Sequence, residues 1–137
     1  MSKNEAISIV LIDDHLLFRK GILELIGKFE GFSVIWEAGN GLEFIKNLRT
    51  SKTPEIVLLD IAMPGMDGFE TARWIKTEHP QIKILVLSMS DQENSIIKML
   101  KLGANGFILK DADPSELKDA LTDIKDKGFY YSELVSG

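Results

Sequence analysis

Five polar residues stand directly after short apolar runs. Asp13 and Asp14 follow the run ending at Ile12, Asp60 the run ending at Leu59, Ser88 the run ending at Leu87, and Lys110 the run ending at Leu109. Taken singly, each has an ordinary explanation. Adjacent acids solvate turns or cap helices, Asp is common in turns, a strand-end Ser bonds to backbone, and a Lys is a surface charge. Taken together they are a constellation. Three carboxylates brought to one place repel and raise one another's pKa. Lys110 offsets one charge, and a divalent cation would offset two more. An all-oxygen donor set favours Mg²⁺, with Mn²⁺ also admissible, and leaves room for waters and phosphate oxygens. Zn²⁺ is disfavoured, because there is no Cys and neither His15 nor His79 has a ligand-spaced partner. His15 is expected to open the first helix and His79 to end the third. A carboxylate can attack phosphorus and form an acyl phosphate. The cation, Lys110 and Ser88 would then hold the transferring oxygens. Asp60 is the candidate nucleophile, because it ends the most apolar run and so belongs at the centre of a sheet. Asp13 and Asp14 are then metal ligands, one directly and one through water.

The elements that must position these groups are legible as an alternation. Apolar runs at 7–12, 32–38, 55–59, 82–87 and 106–109 do not alternate cleanly with polar residues. Such runs suit parallel strands covered on both faces. Between them lie segments long enough for crossover helices. Phe18, Ile22, Leu25, Ile26 and Phe29 recur at helical spacing. Asn40 with Glu43 caps a second helix bearing Leu42, Ile45 and Leu48. Asp67 with Glu70 opens a third, which Pro80 stops. A fourth runs over about 91–102 and ends at Gly103. Asp113, Pro114 and Glu116 open a fifth, whose buried face is Leu117, Leu121 and Ile124, and Lys125, Lys127 and Gly128 close it. Five βα units predict an α/β fold, a doubly wound parallel sheet of order 2-1-3-4-5 flanked by five helices. Ligands bind such sheets at the carboxyl ends of the strands.

The chain has 137 residues, 45% of them hydrophobic and 27% charged, with a formal charge of −5. That is one globular domain rather than a disordered segment. The acidic balance argues against nucleic-acid or anionic-membrane binding by this chain itself. No apolar run exceeds four residues, so no membrane-spanning helix is expected, and the first five residues lack the apolar core of a secretory signal. The absence of Cys excludes disulfides and fits a cytoplasmic protein.

Four stretches carry a resemblance to a known family. They are Ile9-Val10-Leu11-Ile12-Asp13-Asp14-His15, Leu58-Leu59-Asp60-Ile61-Ala62-Met63-Pro64-Gly65-Met66-Asp67-Gly68, Leu87-Ser88, and Gly103-Ala104-Asn105-Gly106-Phe107-Ile108-Leu109-Lys110. In their order and spacing the chain resembles the receiver domains of two-component response regulators, which have a flavodoxin-like fold, over about residues 6–127. A finer likeness is to the NarL/FixJ subclass, whose members usually carry a LuxR-type helix-turn-helix domain. It rests on Asp13-Asp14-His15, on Arg19 with Gly21, and on Lys110-Asp111-Ala112 running into Pro114-Ser115-Glu116-Leu117. The resemblance implies that Asp60 is the phosphoacceptor, charged by a partner histidine kinase. It implies Mg²⁺ held by Asp13, Asp14, Asp60 and the backbone carbonyl of Ala62. Lys110 would pair with the phosphoryl group, and Ser88 would bind it and act as a switch. The family's switch aromatic falls on Phe107. Phe cannot donate the hydrogen bond a Tyr could, and a plain core Phe is the other reading. Two positions depart from well-known receivers, Ala62 and Ser90, where other members carry polar groups that tune hydrolysis of the acyl phosphate.

The resemblance divides the chain into a tail at 1–5, the receiver at 6–127 and the start of a linker at 128–137. No helix-turn-helix domain fits in that remainder, so the chain reads as a receiver excised from a longer transcription regulator or as a stand-alone one. The resemblance implies a switching surface on the fourth helix, fifth strand and fifth helix, or on the first and fifth helices, with dimerisation or release of an attached DNA-binding domain as the output. Two other classes fit less well. An aspartyl phosphohydrolase wants an acid two residues past its nucleophile, where Ala62 stands. A flavodoxin-type binder wants a hydroxyl- and glycine-rich loop where Asp13-Asp14 would repel a phosphate, and there is no P-loop or dinucleotide fingerprint.

Overall fold

Successive side chains of a strand point to opposite faces of its sheet, so a strand reads as an unbroken apolar run when both faces are covered. The computed structural model, which describes residues 5–89 and 92–131, has that arrangement. The elements alternate as β1 (Ile7–Ile12), α1 (Leu16–Gly27), β2 (Phe32–Ala38), α2 (Gly41–Leu48), β3 (Ile56–Asp60), α3 (Gly68–Glu78), β4 (Lys83–Ser88), α4 (Glu93–Lys101), β5 (Gly106–Leu109) and α5 (Pro114–Lys127). The strands form one parallel sheet of order β2-β1-β3-β4-β5, as expected. One face carries Val10, Ile12, Val57, Leu59, Ile84, Val86 and Phe107, in a cluster with Phe44, Ile75 and Met99 from α2, α3 and α4. The other carries Ile9, Leu11, Ile56, Leu58, Leu85, Leu87 and Ile108, packed with Ile26 of α1 and Leu117, Leu121 and Ile124 of α5. Each strand therefore feeds two cores, which is why its sequence shows no period of two.

The helix ends follow the local chemistry closely. Asp67 accepts from the Glu70 amide while the Glu70 carboxylate accepts from the Asp67 amide, a complete capping box. Asn40 accepts from the Glu43 amide at the start of α2. Asp113 caps α5 through the Ser115 amide rather than that of Glu116, with Pro114 in the first turn, and Gly128 ends it in the left-handed conformation, φ 90°. Two expectations need correction. The buried face of α2 is Gly41, Phe44 and Leu48, whereas Leu42 is 64% exposed. Phe44 wins because its ring stacks on Trp36 and meets Trp74 edge-on, at 5.4 and 6.5 Å between centroids. The fourth helix is shorter than expected, with Leu102 as its C-cap. Asp91 and Ser90 lie outside the described residues, as do residues 1–4 and 132–137.

The stretch after α5 returns to the sheet, a contact that no feature of the sequence anticipates. Tyr130 forms a bridge with Gly106 at the β5 edge, and its hydroxyl donates to Glu116 at 2.8 Å. Asn105 ties the region together. Its side-chain oxygen accepts from the Ile84 amide and Lys76 Nζ at 2.8 and 3.0 Å, and its amide donates to the Gly128 carbonyl at 3.1 Å.

The loop after β3 is closed by one glycine. The Gly68 amide donates to the Ile61 carbonyl at 2.9 Å. A Cβ at Gly68 would collide with the Asp60 carbonyl oxygen and come within 2.6 Å of Ile61 Cα, both backbone atoms that cannot step aside. Gly68→Ala is therefore expected to destabilise the protein by about 1–3 kcal/mol, as overpacking does. Urea unfolding checks this, and an unchanged midpoint would contradict it.

Candidate functional site

The strand register brings the polar termini into line. Ile12 pairs with Leu59, Asp60 with Leu87, and Ser88 with Leu109. Asp13, Asp60 and Lys110 thus emerge side by side at the carboxyl edge, where β1 and β3 separate the two crossover directions. Asp13 and Asp60 are buried, at 0% and 1% exposure, and Asp14 is exposed at the mouth. Ser88 is buried beside them at the end of β4, and its carbonyl accepts from the Lys110 amide at 2.7 Å.

Lys110 is the hub. Its ammonium lies 2.8 Å from Asp13 Oδ2 and 3.3 Å from Asp60 Oδ1, and its side chain is almost fully buried. It also stands over the Phe18 ring, 4.6 Å from the centroid. The Asp13 contact is an ion pair without hydrogen-bond alignment. Asp60 Oδ2 is buried and has no hydrogen-bond partner among the described residues. Burial and the Asp13 charge push the Asp60 carboxyl up to about 6, against the pull of Lys110 and of a hydrogen bond from the Ala62 amide.

Of the five residues expected at the site from the sequence, Asp13, Asp14, Asp60 and Lys110 are brought into one cluster, and Ser88 stands at the end of the neighbouring strand β4. Phe107 does not reach the carboxyl edge; its ring is fully buried in the core on the α3–α4 side. Two further residues take part for which the sequence offers only family cues or a helix start. His15 is the N-cap of α1, as expected, but its side chain makes no capping hydrogen bond. Instead its Nδ1 lies 3.0 Å from Lys110 Nζ and 3.3, 3.7 and 3.9 Å from carboxylate oxygens of Asp13, Asp14 and Asp60. Arg19 reaches back one turn, donates to the Asp13 carbonyl at 2.8 Å and pairs with Glu37 on β2 at 2.7 Å. It pins the end of β1 to the edge strand. The signal for both is their proximity in sequence to Asp13, but neither contact can be deduced without the path of α1.

The donor set suits a hard divalent cation. Asp13, Asp14 and Asp60 each offer an oxygen, within 4.8 Å of one another. The unpartnered, buried Asp60 Oδ2 is the observation that fits such an ion best, since a buried anionic oxygen without a partner is costly. His79 is remote in role: it ends α3 and packs its ring against Trp74 at 5.6 Å.

Comparison with known proteins agrees with this geometry. Residues 9–122 match the response regulator receiver domain family. The chain is 40% identical over 121 residues to the nitrate/nitrite response regulator protein NarL of Escherichia coli (strain K12), covering 88% of this chain and 56% of that one. A two-component response regulator of the LuxR family from Aurantimonas sp. SI85-9A1 superposes with a TM-score of 0.88 and 32% identity, over 96% of this chain and 94% of that one. The isolated REC domain of RcsB from Salmonella enterica serovar Typhimurium, solved with the phosphomimetic BeF3⁻, gives 0.88 and 27%, over 96% and 97%. The chain spans about half the length of the curated relatives it matches.

Proposed function

Because the chain belongs to the response regulator receiver domain family, in its NarL/FixJ subclass, we propose that it accepts a phosphoryl group from a sensor histidine kinase onto Asp60. The observation that carries this reading is the split of the Asp60 carboxylate. Oδ1 is held by Lys110, while Oδ2 is buried and without a hydrogen-bond partner among the described residues. An oxygen of Asp60 attacks phosphorus, the phosphorus–nitrogen bond of the donor breaks, and the donor imidazole leaves with the bonding pair. The raised basicity of Asp60 helps the attack, and at pH above about 6 the group is still ionised. Lys110 and Ser88 bind the phosphoryl oxygens. Asp13, Asp14, Asp60 and the Ala62 carbonyl would hold Mg²⁺, or Mn²⁺ in its place. The ion, when bound, neutralises charge on the transferring oxygens.

Phosphorylation then changes what Lys110 and Ser88 hold; Lys110 follows β5, the strand that carries Phe107, and Ser88 ends β4, the strand paired with it. We assign Ser88 and Phe107 to the switch. Its output is dimerisation of the receiver and control of a LuxR-type DNA-binding domain outside this chain, with residues 128–137 as the start of the connecting linker. The first and fifth helices are the favoured dimer face, because Leu16 and Leu17 at the start of α1 are 55% and 87% exposed. The chain itself binds no nucleic acid in this reading, and it is a switch rather than a turnover enzyme. Among the described residues no helix is long and apolar enough to cross a membrane, and we place the protein in the cytoplasm with its kinase partner.

Incubation with a small acyl-phosphate donor, with and without Mg²⁺, tests the reading by intact mass. The expected result is a metal-dependent gain of one phosphoryl group in the wild type and none in Asp60→Asn. No adduct under any condition would overturn it.

A further inference from the structure

We propose that His15 supplies an imidazole nitrogen to the Asp13–Asp14–Asp60 pocket. The site would then bind imidazole-tolerant first-row cations (Mn²⁺, Co²⁺ or Zn²⁺) more tightly than its oxygen donors alone would. The inference rests on the reading of this pocket as a cation site and adds a ligand to it.

Three observations carry it. First, the ring is turned inward although nothing in the helix cap requires it. His15 donates its backbone amide to Asp13 Oδ1 at 2.7 Å, which fixes the chain, yet the side chain makes no capping bond. Second, Nδ1 faces the pocket. It lies 3.0 Å from Lys110 Nζ and 3.3, 3.7 and 3.9 Å from carboxylate oxygens of Asp13, Asp14 and Asp60, so one ring nitrogen borders all three acids. In the tautomer that accepts from Lys110, an incoming cation would take over that lone pair, and Lys110 would keep its contacts with Asp13 and Asp60 at 2.8 and 3.3 Å. Third, Asp60 Oδ2 is buried and without a hydrogen-bond partner among the described residues, so one donor still lacks a cation.

The dimensions agree. Nδ1 and the three carboxylate oxygens lie within 4.8 Å of one another. Two donors on one ion at a bond length of about 2.1 Å stand at most about 4.2 Å apart. The set must close by some tenths of an ångström, and His15, half-exposed on the first residue before α1, has the freedom to supply that shift. Carboxylate and carbonyl oxygens suit Mg²⁺ and Mn²⁺, whereas imidazole adds affinity for Mn²⁺, Co²⁺ and Zn²⁺ in rising order.

The test needs no activity. There are two histidines in the chain, His15 and His79, so imidazole ¹⁵N spectra of the full chain contain two rings. On titration with Zn²⁺, the Nδ1 resonance of His15 is expected to move to the metal-bound range while that of His79, packed on Trp74, stays. Calorimetric titration supplies the second arm. His15→Ala and His15→Gln should lower Zn²⁺ and Co²⁺ affinity about tenfold or more and change Mg²⁺ affinity less than about threefold. A His15 resonance that does not move while the backbone signals of Asp13, Asp14 and Asp60 do would overturn this inference alone. No response of those signals to any of the ions would overturn the cation site itself, and with it the metal-dependent function.

Discussion

Lys110→Ala is expected to lower the unfolding free energy by about 2–3 kcal/mol at pH 7.5 in chelator-treated buffer. Lys110 is the cation that holds two buried carboxylates, at 2.8 Å from Asp13 and 3.3 Å from Asp60. Removing one partner of a fully buried pair costs about 3–5 kcal/mol, because the remaining charge keeps its desolvation penalty. The smaller figure applies because the pocket opens to water at Asp14 and His15. The deficit also has a direction in pH. Without the ammonium, nothing from Lys110 offsets the burial and the Asp13 charge that raise the Asp60 carboxyl, so acidification toward pH 5 stabilises the variant relative to the wild type. Urea melts followed by Trp fluorescence at the two pH values measure this. A deficit that is equal at pH 7.5 and 5 would contradict the account, because it would point to lost packing against Phe18 rather than to charge.

Asp60→Asn is expected to move stability the other way. The Asp60 carboxyl is raised from 3.8 to about 6, first by burial and then by Asp13. A raised acid binds its proton more tightly when folded, so between about pH 4 and 6 the folded state carries more protons than the unfolded one. Wild-type stability therefore falls as pH rises through that window, and the loss is complete above it. A rise of that size is worth about 3 kcal/mol at most, and water at the pocket mouth reduces this to about 1–2 kcal/mol. Asn has the same shape and no charge. The variant should be more stable than the wild type by that amount at pH 7.5, and the gain should vanish near pH 4. A variant less stable than the wild type at pH 7.5 would show that the Lys110 ion pair outweighs the burial of Asp60.

These opposite signs come from groups whose place is legible in the sequence. Asp13, Asp14, Asp60, Ser88 and Lys110 are visible because each follows an apolar run, and strands covered on both faces cannot avoid such runs. The order of the sheet follows from five βα units and right-handed crossovers. The capping box at Asp67–Glu70 and the ends of α5 are visible because their chemistry is local. What is not visible depends on packing between distant elements. The buried face of α2 differs from the expected one because Phe44 is selected by Trp36 and Trp74, which lie on other elements. His15 reads as a helix start, which it is, but its ring goes to Lys110, 95 residues away. The return of Tyr130 to the β5 edge is likewise a contact with Gly106 and Glu116 that no local signal announces.

The central claim is that Asp60, among three converging acids, takes the phosphoryl group. Hydride trapping after reaction with an acyl-phosphate donor tests it most directly, because borohydride reduces an aspartyl phosphate to homoserine while leaving free carboxylates untouched. The account predicts homoserine at position 60 by peptide mass spectrometry, with Asp13 and Asp14 unchanged. Homoserine at position 13 or 14, or a phosphoryl group retained on Ser88, would contradict it.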